Sequence, residues 1–225
     1  MKINGDMKIN GDAVVVLGGS FNPPTIAHTL VMEHALAHTE AGLGLFVPSS
    51  HAYVARKARK QSAPFLFTEQ ERLDMLRAAI SGKPGLDVDT CEYGDDGRGH
   101  TYRTLSAIQA KYPDRTVCFL TGADKLSIIP RWRDAEALLN QFPIIVLSRK
   151  DAEAKAMIDA QPMLRAHAGT IRIVPGLPGI ETISSSRFQL MLSRGDPRAA
   201  HLVYPGAMEI IRRKLEGRPP AEGNA

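Results

Sequence analysis

The run from Ala13 to His28, AVVVLGGSFNPPTIAH, constrains this chain more than any other stretch. Val14, Val15, Val16 and Leu17 make an unbroken apolar run rich in β-branched residues, which suits a central parallel strand buried on both faces. Gly18 and Gly19 follow at once, and glycine allows both a tight turn and close approach of main-chain N–H groups to a ligand. Proline is tolerated in a first helical turn, so the pair Pro23-Pro24 predicts a helix from about Pro24 to His38. Thr25 and His28, three residues apart, share one face of its first turns. Free N–H groups and the positive end of the helix dipole then point at whatever docks there, and the expected ligand is an anion. A Gly-Gly turn often only makes a turn, and a single helical histidine is more often a surface or core residue. The weight lies in the ordered combination.

Apolar strand candidates recur at Leu43–Val47, Leu86–Thr90, Thr116–Leu120, Pro143–Leu147 and Thr170–Val174. Helical patterns separate them: Thr68 to Ile80 with a capping box at Thr68 and Glu71, Thr101 to Lys111, about Ala152 to Arg165, and about Pro205 to Leu215. Five or six strands alternating with helices predict an α/β fold with a doubly wound parallel sheet. At 225 residues the chain fits one such domain, expected over 13–216. Residues 1–12 duplicate MKINGD and are set outside the fold as a disordered or repeated start; 217–225, Pro/Gly-rich, are expected to be a disordered tail.

A formal charge of +4 suits a polyanionic ligand such as a nucleotide. No basic–aromatic repeat of the kind that reads nucleic acid is present, and no apolar run approaches the roughly 20 residues that span a bilayer. Cys91 and Cys118 show neither metal-ligand spacing nor a disulfide framework, which fits a reducing, cytoplasmic compartment. No carboxylate cluster marks a protein-held metal. The sequence lacks GxGxxG and Walker A patterns, which disfavours hydride-transferring Rossmann enzymes and P-loop ATPases.

GGSFNPPTIAH resembles the first motif of the nucleotidyltransferase superfamily: a glycine-rich turn, Phe-x-Pro, then His or Thr, two residues, and His. His28 takes the second-histidine position, which in that superfamily lies against the ATP phosphates; Thr25 takes the first, and Ala27 replaces the usual glycine. Ile183-Ser184-Ser185-Ser186-Arg187-Phe188-Gln189 resembles the second motif, Ile-Ser-Ser-Thr-x-Ile-Arg or Lys, with Ser186 in the Thr place and Gln189 in the basic place. Read on residues alone, this stretch is a serine N-cap before an amphipathic helix, or an anion-binding helix start.

Two further segments narrow the resemblance to nicotinate/nicotinamide mononucleotide adenylyltransferases. HTYRTL is similar to that family's Tyr-Thr-x-Asp-Thr-Leu, with Arg103 for the acidic residue, and Gly122-Ala-Asp124-x-Leu126 followed by Trp132 is similar to its GADxL…W. The resemblance implies adenylyl transfer from ATP, carried with Mg²⁺, to a pyridine mononucleotide, giving a dinucleotide and pyrophosphate. It implies that His28 and Thr25 serve catalysis, and that Gly18, Gly19, Ser20 and Phe21 bind ATP together with Ser184, Ser185, Ser186 and Arg187. Lys57, with Arg56 second, belongs to a dense basic stretch between 51 and 60, a solvated loop on its own terms; the family's loop there reaches substrate phosphates. Thr101, Gly122, Asp124 and Trp132 complete the acceptor set: a carboxylate for a ribose hydroxyl at Asp124, a flat face for a ring at Trp132. A homo-oligomer fits the sequence as well as a monomer. The alternatives are a phosphopantetheine adenylyltransferase, a cytidylyltransferase, and a non-catalytic nucleotide-binding module.

Overall fold

A computed structural model describes residues 9–94, 100–148 and 150–217. Six strands form one parallel sheet: β1 (Val14–Gly19), β2 (Leu43–Pro48), β3 (Leu86–Val88), β4 (Val117–Gly122), β5 (Ile144–Ser148) and β6 (Ile171–Pro175). Their order is β3-β2-β1-β4-β5-β6, which is the doubly wound order the alternating pattern predicted. β1 sits in the middle, with Val14 opposite Leu43 on one side and Val117 on the other. The chain leaves β1 toward β2 and returns to β4, so the topology reverses beside β1, and ligands of such sheets bind at the strand ends there.

Period-two alternation sorts the strands' side chains into two layers. Val14, Val16, Leu45, Val117 and Val146 enter one buried cluster, while Val15, Phe46, Cys118, Leu120 and Ile145 enter the other. The helices are α1 (Ile26–Thr39), α2 (His51–Lys60), α3 (Glu69–Ile80), α4 (Thr101–Lys111), α5 (Ala135–Gln141), α6 (Asp151–Asp159), α7 (Pro162–Ala166), α8 (Ser185–Ser193) and α9 (Pro205–Leu215). A third cluster of Phe67, Met75, Phe188, Ala207 and Ile211 binds α3, α8 and α9 together at one flank. At Gly44 an added Cβ would come within 2.7 Å of Met32, so the missing side chain is what lets α1 lie close on β2.

Several expectations need correcting. The basic stretch 51–60 is helix α2, not a loop. Ala, Arg and Lys are good helix formers, and Ser50 caps the start by accepting from the Tyr53 N–H at 3.4 Å. α1 starts at Ile26, because Thr25 is still extended at φ −115° and ψ 166°. The segment 152–165 is two helices: the ring of Pro162 holds Gln161 extended, and the chain restarts as α7. A 3-10 turn at Pro197–Leu202 was not foreseen. Folded chain also precedes residue 13: Ile9 is buried in the second core layer, and the Gly11 carbonyl packs against Gly42. Residues 1–8 and 218–225, nearly all of the two expected disordered ends, lie outside the described residues.

Candidate active site

β1 ends in Gly18-Gly19, the chain turns through Ser20 to Pro24, and α1 begins with Thr25 as its N-cap. Phe21 has a positive φ of 42°, and the Asn22–Pro23 peptide is cis. From this turn the His28 ring folds back onto the cap: Nδ1 accepts the Thr25 backbone N–H at 2.9 Å and lies 2.9 Å from its hydroxyl. The backbone can only donate, so Nδ1 is unprotonated and the proton sits on Nε2. Phe21 packs edge-on against the ring at 5.0 Å. Burial pushes the imidazole pKa down to about 4, and the nearby Lys57 charge adds to the effect against the Thr25 contact. At neutral pH His28 is therefore an uncharged N–H donor, not a cation.

Three cavities meet at this residue. One of about 410 Å³ lies between the β1 turn, the C-terminal half of α2 and the start of α8. A second of about 500 Å³ runs across the ends of β1 and β4 to the start of α4. A third of about 440 Å³ lies between α1, residues 176–183 and Ser184–Ser186. His28 and Lys57 line all three. Lys57 Nζ donates to Ser20 Oγ at 3.2 Å, and burial together with the Lys125 charge holds its ammonium below the usual lysine range. The two motifs, remote in sequence, thus share one cleft: His28 stands in the same cavity wall as Ser184, Ser185 and Ser186.

The remaining sequence candidates divide. Gly18, Gly19, Ser20, Thr101, Gly122 and Trp132 line the second cavity, and Phe21 lines the first. Trp132 packs edge-on against Phe119 at 5.9 Å and stays part-exposed, so it forms a wall and not a core plug. Thr25 is buried behind His28 and reaches the cavities only by its contacts to that ring. Asp124 lines none of the three cavities; its carboxylate is paired with Lys125. Arg56 lies over the ring of Tyr53, a wall residue of the second cavity, at 5.4 Å and lines none of the three itself. Arg187 also stays outside them, exposed and on the side of Asp196, whose carboxyl Arg198 holds down at about 2 with a smaller contribution from Arg187.

Sequence reasoning missed Arg72. Its side chain is fully buried; Nη1 donates to the Ser20 carbonyl at 2.9 Å and Nη2 to the Ser49 carbonyl at 2.6 Å. It pins together the chain just past β1 and just past β2. The signal was legible: an arginine beside Leu73, Met75, Leu76 and Ala79 on a helix that otherwise buries apolar side chains. Lys125 and the His100–Arg133 pair, 3.2 Å apart, were missed as cavity walls because nothing local marks them.

A neutral histidine donor, a lysine and two helix starts stand around one cleft at the reversal point of a doubly wound sheet, an arrangement suited to nucleotide phosphates. The chain belongs to the cytidylyltransferase-like family, whose profile matches residues 16–189. Among its relatives is a Bordetella avium protein named "probable nicotinate-nucleotide adenylyltransferase", 31% identical over 80% of this chain and 85% of that one. One of the same name from Rhodopirellula baltica is 30% identical over 89% and 91%. Structures of Plasmodium falciparum nicotinic acid mononucleotide adenylyltransferase, complexed with APC and with NaAD, match with TM-scores of 0.67 and 0.68. They cover 91% and 90% of this chain and 96% of that one; at 18% identity the likeness is one of fold.

Proposed function

We propose that this protein transfers the adenylyl group of Mg²⁺-ATP to the 5′-phosphate of nicotinate mononucleotide, releasing pyrophosphate and the dinucleotide. An acceptor phosphate oxygen attacks the α-phosphorus, and the bond from that phosphorus to the bridging oxygen of the β-phosphate breaks. The acceptor is already an anion, so no protein nucleophile or general base is required. Catalysis is alignment and stabilisation of charge on the α-phosphate and the leaving pyrophosphate. The observation that carries this reading is His28: its Nδ1 is spent on Thr25, so a neutral Nε2–H remains for phosphate oxygen where three cavities join. Lys57 supplies positive charge at the same junction.

The second cavity suits the acceptor, with the Trp132 ring as a wall and the start of α4 at Thr101. The third suits the adenosine end of ATP. The described residues gather no group of three His, Cys, Asp or Glu, so they do not fit a protein-held metal, and Mg²⁺ enters as part of the nucleotide substrate. No described helix is long and apolar enough to cross a membrane.

The test is pyrophosphate release with ATP and Mg²⁺ and, in turn, nicotinate mononucleotide, nicotinamide mononucleotide and phosphopantetheine. Release with nicotinate mononucleotide is expected. Turnover only with CTP in place of ATP moves the reading to cytidylyl transfer. Nucleotide binding without turnover on any acceptor identifies a non-catalytic module.

A further inference from the structure

The second motif has a carboxamide, Gln189, where its family pattern has a cation, and that carboxamide is already occupied. Gln189 is 3% exposed. Its Nε2 donates to the Asn22 carbonyl at 2.5 Å, and its Oε1 accepts the Phe65 N–H at 3.1 Å. Asn22, 6% exposed, completes the pattern from the other side. Its Nδ2 donates to the Phe65 carbonyl at 3.0 Å, and its Oδ1 accepts the Phe67 N–H at 2.9 Å. One turn before Gln189, Ser185 Oγ donates to the Pro23 carbonyl at 2.8 Å. Two side-chain amides thus join α8, the turn before α1 and the segment 61–67.

The carboxamide of Gln189 serves one contact as donor and the other as acceptor. Lysine and arginine carry donors and no acceptor, so either would leave the Phe65 N–H without its partner. The turn it holds is the one that sets His28: Phe21, adjacent to Asn22, packs against the imidazole at 5.0 Å. The frame also encloses the first cavity, lined by Asn22, Gln189, Ser185, Ser186, His28 and Lys57. Among the described residues lining it, Lys57 is the one cation.

We propose that Gln189 is a positioning residue for the transfer reaction. It locks α8, the Phe21–Pro24 turn and the segment 61–67 into one frame, and leaves Lys57 as the side-chain cation that the pyrophosphate end of the nucleotide meets. The proposal rests on the adenylyl-transfer reading above. A frame of this kind holds donors where charge develops, with no reorganisation at the moment of reaction, and small displacements of such groups cost heavily in rate.

The experiment compares Gln189→Met, of similar length with no amide, and Gln189→Arg with the wild-type protein. The readouts are kcat, separate KM values for ATP and the acceptor, and calorimetric binding of Mg²⁺-pyrophosphate. Gln189→Met is expected to lower kcat/KM for ATP about tenfold and to weaken pyrophosphate binding, with the acceptor KM held within about twofold. Gln189→Arg is expected to be no better than Gln189→Met. Wild-type constants for Gln189→Met overturn the proposal, as does tighter pyrophosphate binding with normal kcat for Gln189→Arg, which would make 189 a charge site. Should both variants fail to fold, hydrogen exchange of the wild-type Phe65 and Phe67 amides decides. Protection in the free protein is expected; exchange at unprotected rates overturns the frame. If wild-type protein turns over no acceptor, the adenylyl-transfer reading fails, and pyrophosphate binding with the Phe65 exchange still decides the frame by itself.

Discussion

The two helix starts that face each other across the cleft are built on opposite plans. At α1 the ligand-facing group is braced from behind: His28 is set by the Thr25 backbone, by Phe21 and, through the turn, by Asn22. At α8 the hydroxyls largely serve the protein itself. Ser184 Oγ accepts the Arg187 N–H at 3.1 Å and caps the helix, while Ser185 Oγ is spent on the Pro23 carbonyl. Ser184 keeps only its O–H donor for a ligand, and Ser186, whose hydroxyl makes no bond among the described residues, is exposed. A braced donor in a closed setting is worth far more to a developing charge than a mobile one in water. The first motif should therefore dominate the chemistry, and the second should act through backbone N–H groups and shape.

The sharpest way to break this contrast is at His28. His28→Ala is expected to cost about 10²–10³ in turnover, as removal of one preorganised donor does elsewhere, with the fold retained by circular dichroism. Near-normal turnover would place the chemistry elsewhere. Next is Lys57→Met, expected to lower kcat/KM for ATP by about 10–100-fold, the range of a lost charge-assisted contact. An effect on kcat alone would mean that Lys57 acts only in the transition state.

A pH series tests the neutral-donor assignment. With its pKa pushed down to about 4 from 6.5, His28 stays unprotonated in the folded protein while the unfolded chain takes up a proton. Its contribution to stability is therefore complete above pH 6.5 and declines as pH falls from 6.5 toward 4. Urea unfolding across that window measures it, and kcat should show no titration of His28 near 6.5. The smallest effects are expected at the exposed side chains of α8, in contrast to its buried Gln189: Ser186→Ala within about threefold of wild-type turnover, as for a weak exposed hydrogen bond, and Arg187→Ala unchanged. A large loss at either would make the two motifs equals.

Much of this was legible beforehand, because strand–turn–helix order and apolar runs are local signals. The strand positions, the helices at 101–111 and 205–215, and the meeting of His28 with Ser184 and Ser185 all follow the pattern. Side-chain direction was not legible. Asp124, Arg56 and Arg187 have suitable chemistry at suitable places in the chain, yet none of the three lines a cavity: Asp124 pairs with Lys125 and Arg56 covers Tyr53, both wall residues of the second cavity, while Arg187 lies toward Asp196. α2 was missed although its sequence is amphipathic, because the density of Arg56, Lys57, Arg59 and Lys60 outweighs the few apolar residues, of which Val54 alone is fully buried. The sequence revealed the loss of a cation at 189 and gave no means to see its pairing with Asn22, which depends on contacts across the whole fold.

Arg72 has a mechanical consequence. One guanidinium fastens the exits of two neighbouring strands, by the Ser20 and Ser49 carbonyls, and both of those serines help wall the second cavity. The floor of that cavity is in effect a single plate. A displacement of either exit is therefore passed straight to the other through one planar, two-pronged group.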